Sequence, residues 1–244
     1  GSAGSDLSTV MVGAGRPEAL SASREKVLTD IRKSLGRGPV SGCVAAALRQ
    51  RFEHPASNVI PARSRLDRVS RVNLFVTEAE KVDATTERLS TWDDIPAAIA
   101  RYLKSANLPT TLRVATGTDV GAIPWSNEPL LSVETGPAEG NDAVGVTGVF
   151  GGVAETGTLV MLSGREHPTT LNFLPDTHIA VVSVDQIAGT YEEIWAKLRD
   201  SLGHGNMPRV VNWITGPSRT ADIEQTLLLG AHGPLRLHIL IIDA

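Results

Sequence analysis

Cysteine is nearly absent from this chain: Cys43 is the only one in 244 residues. One thiol excludes an internal disulfide framework, and alone it cannot hold an iron–sulfur cluster. Cys43 lies in an Ala-rich apolar stretch, which predicts a packed small hydrophobe rather than a reactive thiol. Long apolar runs are missing too. No window approaches the ~20 residues that a membrane-spanning helix needs, and no basic segment followed by an apolar one marks a signal peptide near the N-terminus. These absences make a cytoplasmic address the expectation. Gly1 to Ser5 reads as an expression scar or a flexible leader and is set aside. Basic residues form no stripe. The nearest approach, Arg63 to Arg71, is broken by Asp67 and apolar residues, and the net charge is −4. Nothing electrostatic points to a nucleic-acid partner. The six histidines never fall at His-x-His or His-x-x-x-His spacing, so no metal site is expected. A Gly-x-Ser-x-Gly elbow, a phosphate-binding loop and a dinucleotide fingerprint are likewise missing.

What is present is enough apolar residue, 41% of the chain, for one well-buried domain with an extra subdomain. Residues 1–76 read as a leader plus a helical region, and 77–244 as the main α/β domain. Three helices are expected in the first part: Pro17 to Leu35, with Leu20, Val27, Ile31 and Leu35 at helical spacing; Cys43 to Phe52; and Leu66 to Glu80, with Leu66, Val69, Val72, Phe75 and Val76 on one face. From Lys81 the texture alternates. Strands are expected at Val82–Leu89, Leu112–Ala115, Leu130–Val133, Thr158–Leu162, Ile179–Val184, Val210–Thr215 and His238–Ile242. Helices are expected at Asp93–Ala106, capped by Thr91, from Thr190 onward, where Glu193 completes a capping box, and at Thr220–Leu229. Strand–helix alternation with short connections is the signature of a layered α/β domain on a parallel or mixed sheet.

Two loops can carry chemistry. Gly145 to Thr158 holds five glycines among several threonines and one carboxylate, Glu155. Such a stretch lets a backbone approach a ligand closely and offers N–H groups to an anion; a pair of bulged strands around a tight turn would also use those glycines. The second loop, Gly216 to Thr220, follows an apolar strand and precedes an expected helix. That is where open α/β sheets bind ligands, because free N–H groups at a helix start attract negative charge. Ser218 and Thr220 can donate or cap. Arg219 can grip a carboxylate or phosphate, or pair with Asp222 or another acid, with Glu224 competing in the same field. His178 precedes a buried strand and is placed near the sheet edge. His232 follows the expected helix, and His238 opens the last strand. His54, His167 and His204 read as loop residues. Trp92, Trp125, Trp195 and Trp213 read as core or interface, since no basic groove accompanies them.

The run Ile214-Thr215-Gly216-Pro217-Ser218-Arg219-Thr220-Ala221-Asp222-Ile223-Glu224, followed by Leu229-Gly230-Ala231-His232-Gly233-Pro234, closely resembles the C-terminal signature of the lactate-utilisation protein C family (LUD domain). Ala154-Glu155-Thr156-Gly157-Thr158 and Leu174-Pro175-Asp176-Thr177-His178-Ile179-Ala180-Val181-Val182 resemble two further family motifs. The match runs in order from about Ala115 to Ala244. Phe150-Gly151-Gly152 departs from the usual small or acidic stretch, and the helical region up to Glu80 matches only loosely. The resemblance implies a fold similar to the α/β class of ribose-5-phosphate isomerase, glucosamine-6-phosphate deaminase and CoA transferases. It also implies a setting in the oxidation of L-lactate to pyruvate, beside partners that hold iron–sulfur clusters, with no cofactor in this chain.

Two functions follow as expectations. In one, the chain is an accessory or regulatory subunit of that lactate-oxidising system. In the other, it is an enzyme acting on a small carboxylate, a phosphorylated or a CoA-like ligand. Glu155 would then be its catalytic base or nucleophile, and Thr156, Gly157, Thr158, His178, Gly216, Ser218, Arg219 and Thr220 its ligand- and anion-binding residues.

Overall fold

The computed structural model describes residues 18–56, 58–203, 205–223, 226–230 and 232–243. Gly1 to Ser5, His204 and Glu224 lie outside them, as does the side chain of Thr220. The chain divides into two compact units, Gly1–Pro55 and Ala56–Ala244. In the first, α1 spans Glu18–Ser34 and α2 spans Gly42–Glu53. Gly36, at φ +61°, ends α1 in the left-handed conformation that favours glycine. Cys43, expected in a packed environment, is exposed on the first turn of α2 with its Sγ 3.2 Å from Ser41 Oγ.

The second unit opens with α3, Arg68–Lys81. Asp67 caps it, its Oδ1 accepting from the Val69 and Ser70 N–H groups at 3.0 Å each. The buried face of α3 is Val72, Phe75 and Ala79; Leu66 and Val69, expected on that face, are exposed. Then follow β1 (Thr85–Leu89), α4 (Ile95–Ser105), β2 (Thr111–Val114), the single turn α5 (Thr118–Gly121) and β3 (Ser132–Thr135). Next come β4 (Val144–Gly148), β5 (Gly151–Val153), β6 (Thr158–Leu162), β7 (Thr177–Ser183), β8 (Ile187–Ala188) and α6 (Tyr191–Leu202). The chain continues through β9 (Val211–Ile214), β10 (Arg219–Ile223), β11 (Thr226–Leu229) and β12 (Arg236–Ile242).

Six of these strands form one sheet, in the order β1-β12-β7-β4-β2-β3, with every neighbouring pair parallel. A smaller mixed sheet runs β8-β5-β6-β9. The pleat of β7 sorts the layers. Ile179 and Val181 join Ile95, Ile99 and Leu103 of α4 in one apolar cluster. Ala180 and Val182 face the other way, into a cluster with Phe75 and Ala79 of α3 and Leu159 and Met161 of the small sheet. Ile194 of α6 packs on the far side of the small sheet, against Val153 and Val160. The layers are therefore α4, main sheet, α3 with small sheet, and α6. Both faces of the parallel sheet are covered, which is why its strands read as near-continuous apolar runs. Each fully buried Ile or Leu of α4 contributes about 1.5–3 kcal/mol.

The helix expected over Thr220–Leu229 is a β-hairpin instead: β10 and β11 pair antiparallel, Arg219 opposite Leu229. Tertiary hydrogen bonds hold the ends of the segment together. The Gly230 N–H donates to the Ser218 carbonyl at 3.0 Å, and the Ser218 N–H to the Pro234 carbonyl at 2.8 Å. A ten-residue helix would carry those ends about 15 Å apart. The loop at Gly216–Thr220 therefore meets no helix N-terminus, and the anion attraction expected from one is lost.

Candidate functional site

Adjacent strands β2 and β4 send their connections in opposite directions. The chain leaves β2 for the sheet edge at β3, and leaves β4 through the small sheet for β7. Ligands of open α/β sheets bind outside the carboxyl ends of strands at such a reversal. A cavity of about 300 Å³ sits there, lined by Asp119 from the turn after β2, Thr147 and Gly148 at the end of β4, and Asn172, His167 and Lys197 among others. A second cavity of about 240 Å³ shares Asn172 with it and is lined by His178, Trp213, Gly216, Ser218, Arg219 and His232, with others.

Two glycines shape the first cavity. A Cβ on Gly148 would stand 1.7 Å from Asp119 Oδ2, so the carboxylate fills the room a side chain would need. A Cβ on Gly117 would meet His167 Nε2 at 2.7 Å and Asp119 Oδ1 at 2.8 Å, so imidazole and carboxylate flank one point. Asp119 Oδ1 also accepts from the Val120 N–H at 2.8 Å. The loop that carries His167 is pinned, since the Thr116 N–H donates to the Glu166 carbonyl at 3.1 Å. Lys197, on α6, holds its Nζ 5.5 Å from the centre of the Phe150 ring, a cation–π contact between two residues that line the cavity. Gln186 is committed to the backbone. Its Nε2 donates to the Val149 carbonyl and its Oε1 accepts from the Ser183 N–H, both at 2.8 Å.

His178 and Thr147 join the two cavities. Nε2 of the buried ring lies 2.8 Å from Thr147 Oγ1, while Nδ1 has no hydrogen-bond partner among the described residues. Burial pushes the imidazole down to about 4, so it is neutral at pH 7.

The residues expected at the site fall into two groups. His178, Gly216, Ser218 and Arg219 share the second cavity. Arg219 is paired there, but its acid is Asp83, at 2.6 Å. Gly216, at φ +73°, presses on the Val82 carbonyl, which a Cβ would approach to 2.3 Å. Ser218 Oγ accepts from the His232 N–H at 3.3 Å. Thr220 contributes backbone pairing with Leu228 in the hairpin.

Glu155, Thr156, Gly157 and Thr158 line neither cavity. They make the turn from β5 to β6. Glu155 Oε2 accepts from Ser64 Oγ at 3.0 Å. The Thr156 and Thr158 hydroxyls stand 2.7 Å apart and both meet the Tyr191 hydroxyl, at 3.0 and 3.1 Å; Thr158 also meets Thr215 at 2.7 Å. Gly157, at φ +62°, lies against the backbone of α3. Glu155 and Arg219 thus occupy different places, each with its own partner.

Sequence reasoning missed Asp119, Asn172, His167 and Lys197, and reached Thr147 only as one of the threonines in the stretch Gly145 to Thr158. Nothing along the chain sets β2 beside β4, which brings Asp119 to Thr147. His167 read as a loop residue, and Lys197 belongs to an exposed helix face. Among the described residues no group of three or more His, Cys, Asp or Glu side chains is arranged to hold a metal ion, and no helix is long and apolar enough to cross a membrane.

Comparison with known proteins gives this arrangement relatives. The chain is 36% identical over 100 residues to lactate utilization protein C of a Geobacillus species, covering 41% of this chain and 42% of that one. It is 36% identical over 102 residues to the Bacillus subtilis protein of the same name, with 41% and 42% covered. For the Bacillus licheniformis protein the identity is 30% over 128 residues, with 49% and 53% covered. The chain thus spans 42% to 53% of the length of these relatives. A crystal structure of a DUF162 family protein from Deinococcus radiodurans shares the fold, with a TM-score of 0.55, 24% identity and coverage of 73% of this chain and 99% of that one. Residues 140–242 match the family model of the LUD domain.

Proposed function

We propose that this chain serves L-lactate utilisation in the cytoplasm, as an accessory or regulatory subunit of a lactate-oxidising assembly whose iron–sulfur clusters reside in partner chains. The observation that carries the reading is the LUD match over residues 140–242, beside 36% identity to relatives named lactate utilization protein C. Its chemistry supports a division of labour. Iron–sulfur clusters are held by several thiolates, and this chain has one cysteine, so the electron-carrying centres belong to other subunits. The part left to this chain is to hold a ligand or to complete the assembly, and the two adjoining cavities suit it to the first.

Reconstitution tests this. The cluster-bearing partners are supplied with L-lactate and a dye acceptor, with and without this chain, and the complex is followed by co-purification. The expected result is co-purification and a large loss of lactate oxidation when the chain is omitted. A complex that oxidises lactate at full rate without it overturns the proposal. The enzymatic reading through Glu155 and Arg219 gains no specific support from the arrangement, because each is engaged by a different neighbour, Ser64 and Asp83 respectively.

A further inference from the structure

The cavity at the carboxyl ends of β2 and β4 is lined by polar groups of distinct kinds. Lys197 supplies the positive charge, beside Phe150. Asp119 supplies the negative charge and cannot swing away, because it fills the space over Gly148 and its Oδ1 is held by the Val120 N–H. Thr147 stands on the same wall with its hydroxyl on His178.

The histidine decides what Thr147 can do. A buried neutral imidazole with one partner is least costly when its N–H is the satisfied group, because an orphaned buried N–H is rarer and costlier than an orphaned lone pair. Nε2–H therefore donates to Thr147 Oγ1, and the partnerless Nδ1 is the bare lone pair. Thr147 Oγ1 is then an acceptor towards His178, which leaves its own hydrogen for an acceptor in the cavity. The buried ring thus turns a threonine into an oriented donor.

These groups specify a ligand. An anion turns its charge towards Lys197, since Asp119 repels it. The group that reaches Asp119 must bring a hydrogen to donate, because an ionised carboxylate only accepts. An oxygen that both accepts from Thr147 and donates to Asp119 is a hydroxyl. We propose that this cavity binds a small 2-hydroxycarboxylate, with Lys197 on its carboxylate, Thr147 donating to the hydroxyl oxygen and Asp119 accepting the hydroxyl hydrogen, while His167 walls the Asp119 end. A three-carbon acid fits about 300 Å³ with water to spare. The assignment rests on the lactate reading above and adds to it a site and a preference. A 2-oxo acid lacks the hydrogen that Asp119 needs, and sites built around a substrate hydroxyl reject analogues without it strongly.

Calorimetry on the full chain tests this with L-lactate, pyruvate, propanoate and inorganic phosphate. L-lactate is expected to bind, with pyruvate and propanoate at least tenfold weaker and phosphate silent. Lys197→Ala and Thr147→Val are each expected to lose about tenfold in lactate affinity, whereas Thr147→Ser and Lys104→Ala, the latter on exposed α4 surface, keep it. Lys197 is exposed, so its variant remains informative if Thr147→Val fails to fold. Absence of lactate binding, equal affinity for pyruvate, or loss of binding with Arg219→Ala but not with Lys197→Ala overturns the assignment. The reconstitution separates the two ideas. If lactate oxidation needs the chain yet tolerates Lys197→Ala and Thr147→Val, the site is wrong and the functional reading stands. If oxidation proceeds without the chain while lactate still binds it in this cavity, the reverse holds.

Discussion

His178 and His238 face opposite sides of the main sheet, and each has one ring nitrogen without a partner among the described residues. His178 meets Thr147 on the side of the small sheet. His238 keeps Nδ1 2.8 Å from Thr85 Oγ1 and stacks on Tyr102 of α4, the ring centres 3.9 Å apart and nearly parallel. Burial pushes both rings down to about 4, with Glu87 partly opposing this for His238. Unfolded histidine titrates near 6.5. Between these values the unfolded chain binds protons that the fold refuses, so the contribution is whole above pH 6.5 and is lost as the pH falls towards 4. Each ring accounts for up to about 3 kcal/mol. Urea unfolding at pH 7.5 and pH 5 is therefore expected to show a clear drop in midpoint at the lower value. An unchanged midpoint would mean that neither ring stays neutral in the fold.

At the scale of elements, the sequence announced most strands and helices because local pattern and packing agree. β6 is found where expected, at Thr158–Leu162, and α6 is capped by Thr190, whose Oγ1 accepts from the Glu193 N–H at 3.3 Å. Even there the box is altered, since the Glu193 carboxylate reaches the Gly189 N–H instead of the cap residue's own. The hairpin β10–β11 was illegible for a physical reason. Ile223, Leu227 and Leu228 satisfy helical spacing as well as a strand pattern, and what decides is the clasp between Ser218, Gly230 and Pro234, formed by hydrogen bonds over a distance no local pattern records. The β5–β6 turn makes a sharper case. Gly157 combines φ +62° with an approach that would put a Cβ 2.2 Å from the Ala79 nitrogen of α3. Gly157→Ala must both strain the backbone and push α3 off the small sheet. We expect a loss of about 3 kcal/mol or more, read by chemical denaturation. A loss under about 1 kcal/mol, the ordinary figure for a left-handed glycine in open space, would show that α3 gives way freely.

For the molecule as a whole, the α/β class was readable because both faces of the main sheet are buried and its strands advertise that with apolar runs. The strand order was not, and the cavity depends on it. Asp119 and Thr147 belong to β2 and β4 segments separated in sequence by the whole of β3, and only the parallel order β7-β4-β2-β3 brings them together. The same order fixes what the fold requires of the chain. All three apolar clusters draw their buried residues from the stretch between Val72 and Ile242, and the six strands of the main sheet start at Thr85. A chain running from Ala56 to Ala244 keeps every one of these residues, together with Asp67, which caps α3, and Ser64, which holds Glu155. That piece should unfold in one cooperative transition. Its midpoint should stay within roughly 4 °C of the full chain's, the shift that about 1 kcal/mol produces at this size. Calorimetric scans of both chains decide it. A broad transition, or a midpoint lowered much further, would mean that the stretch from Ala56 to Ala244 does not hold its fold by itself.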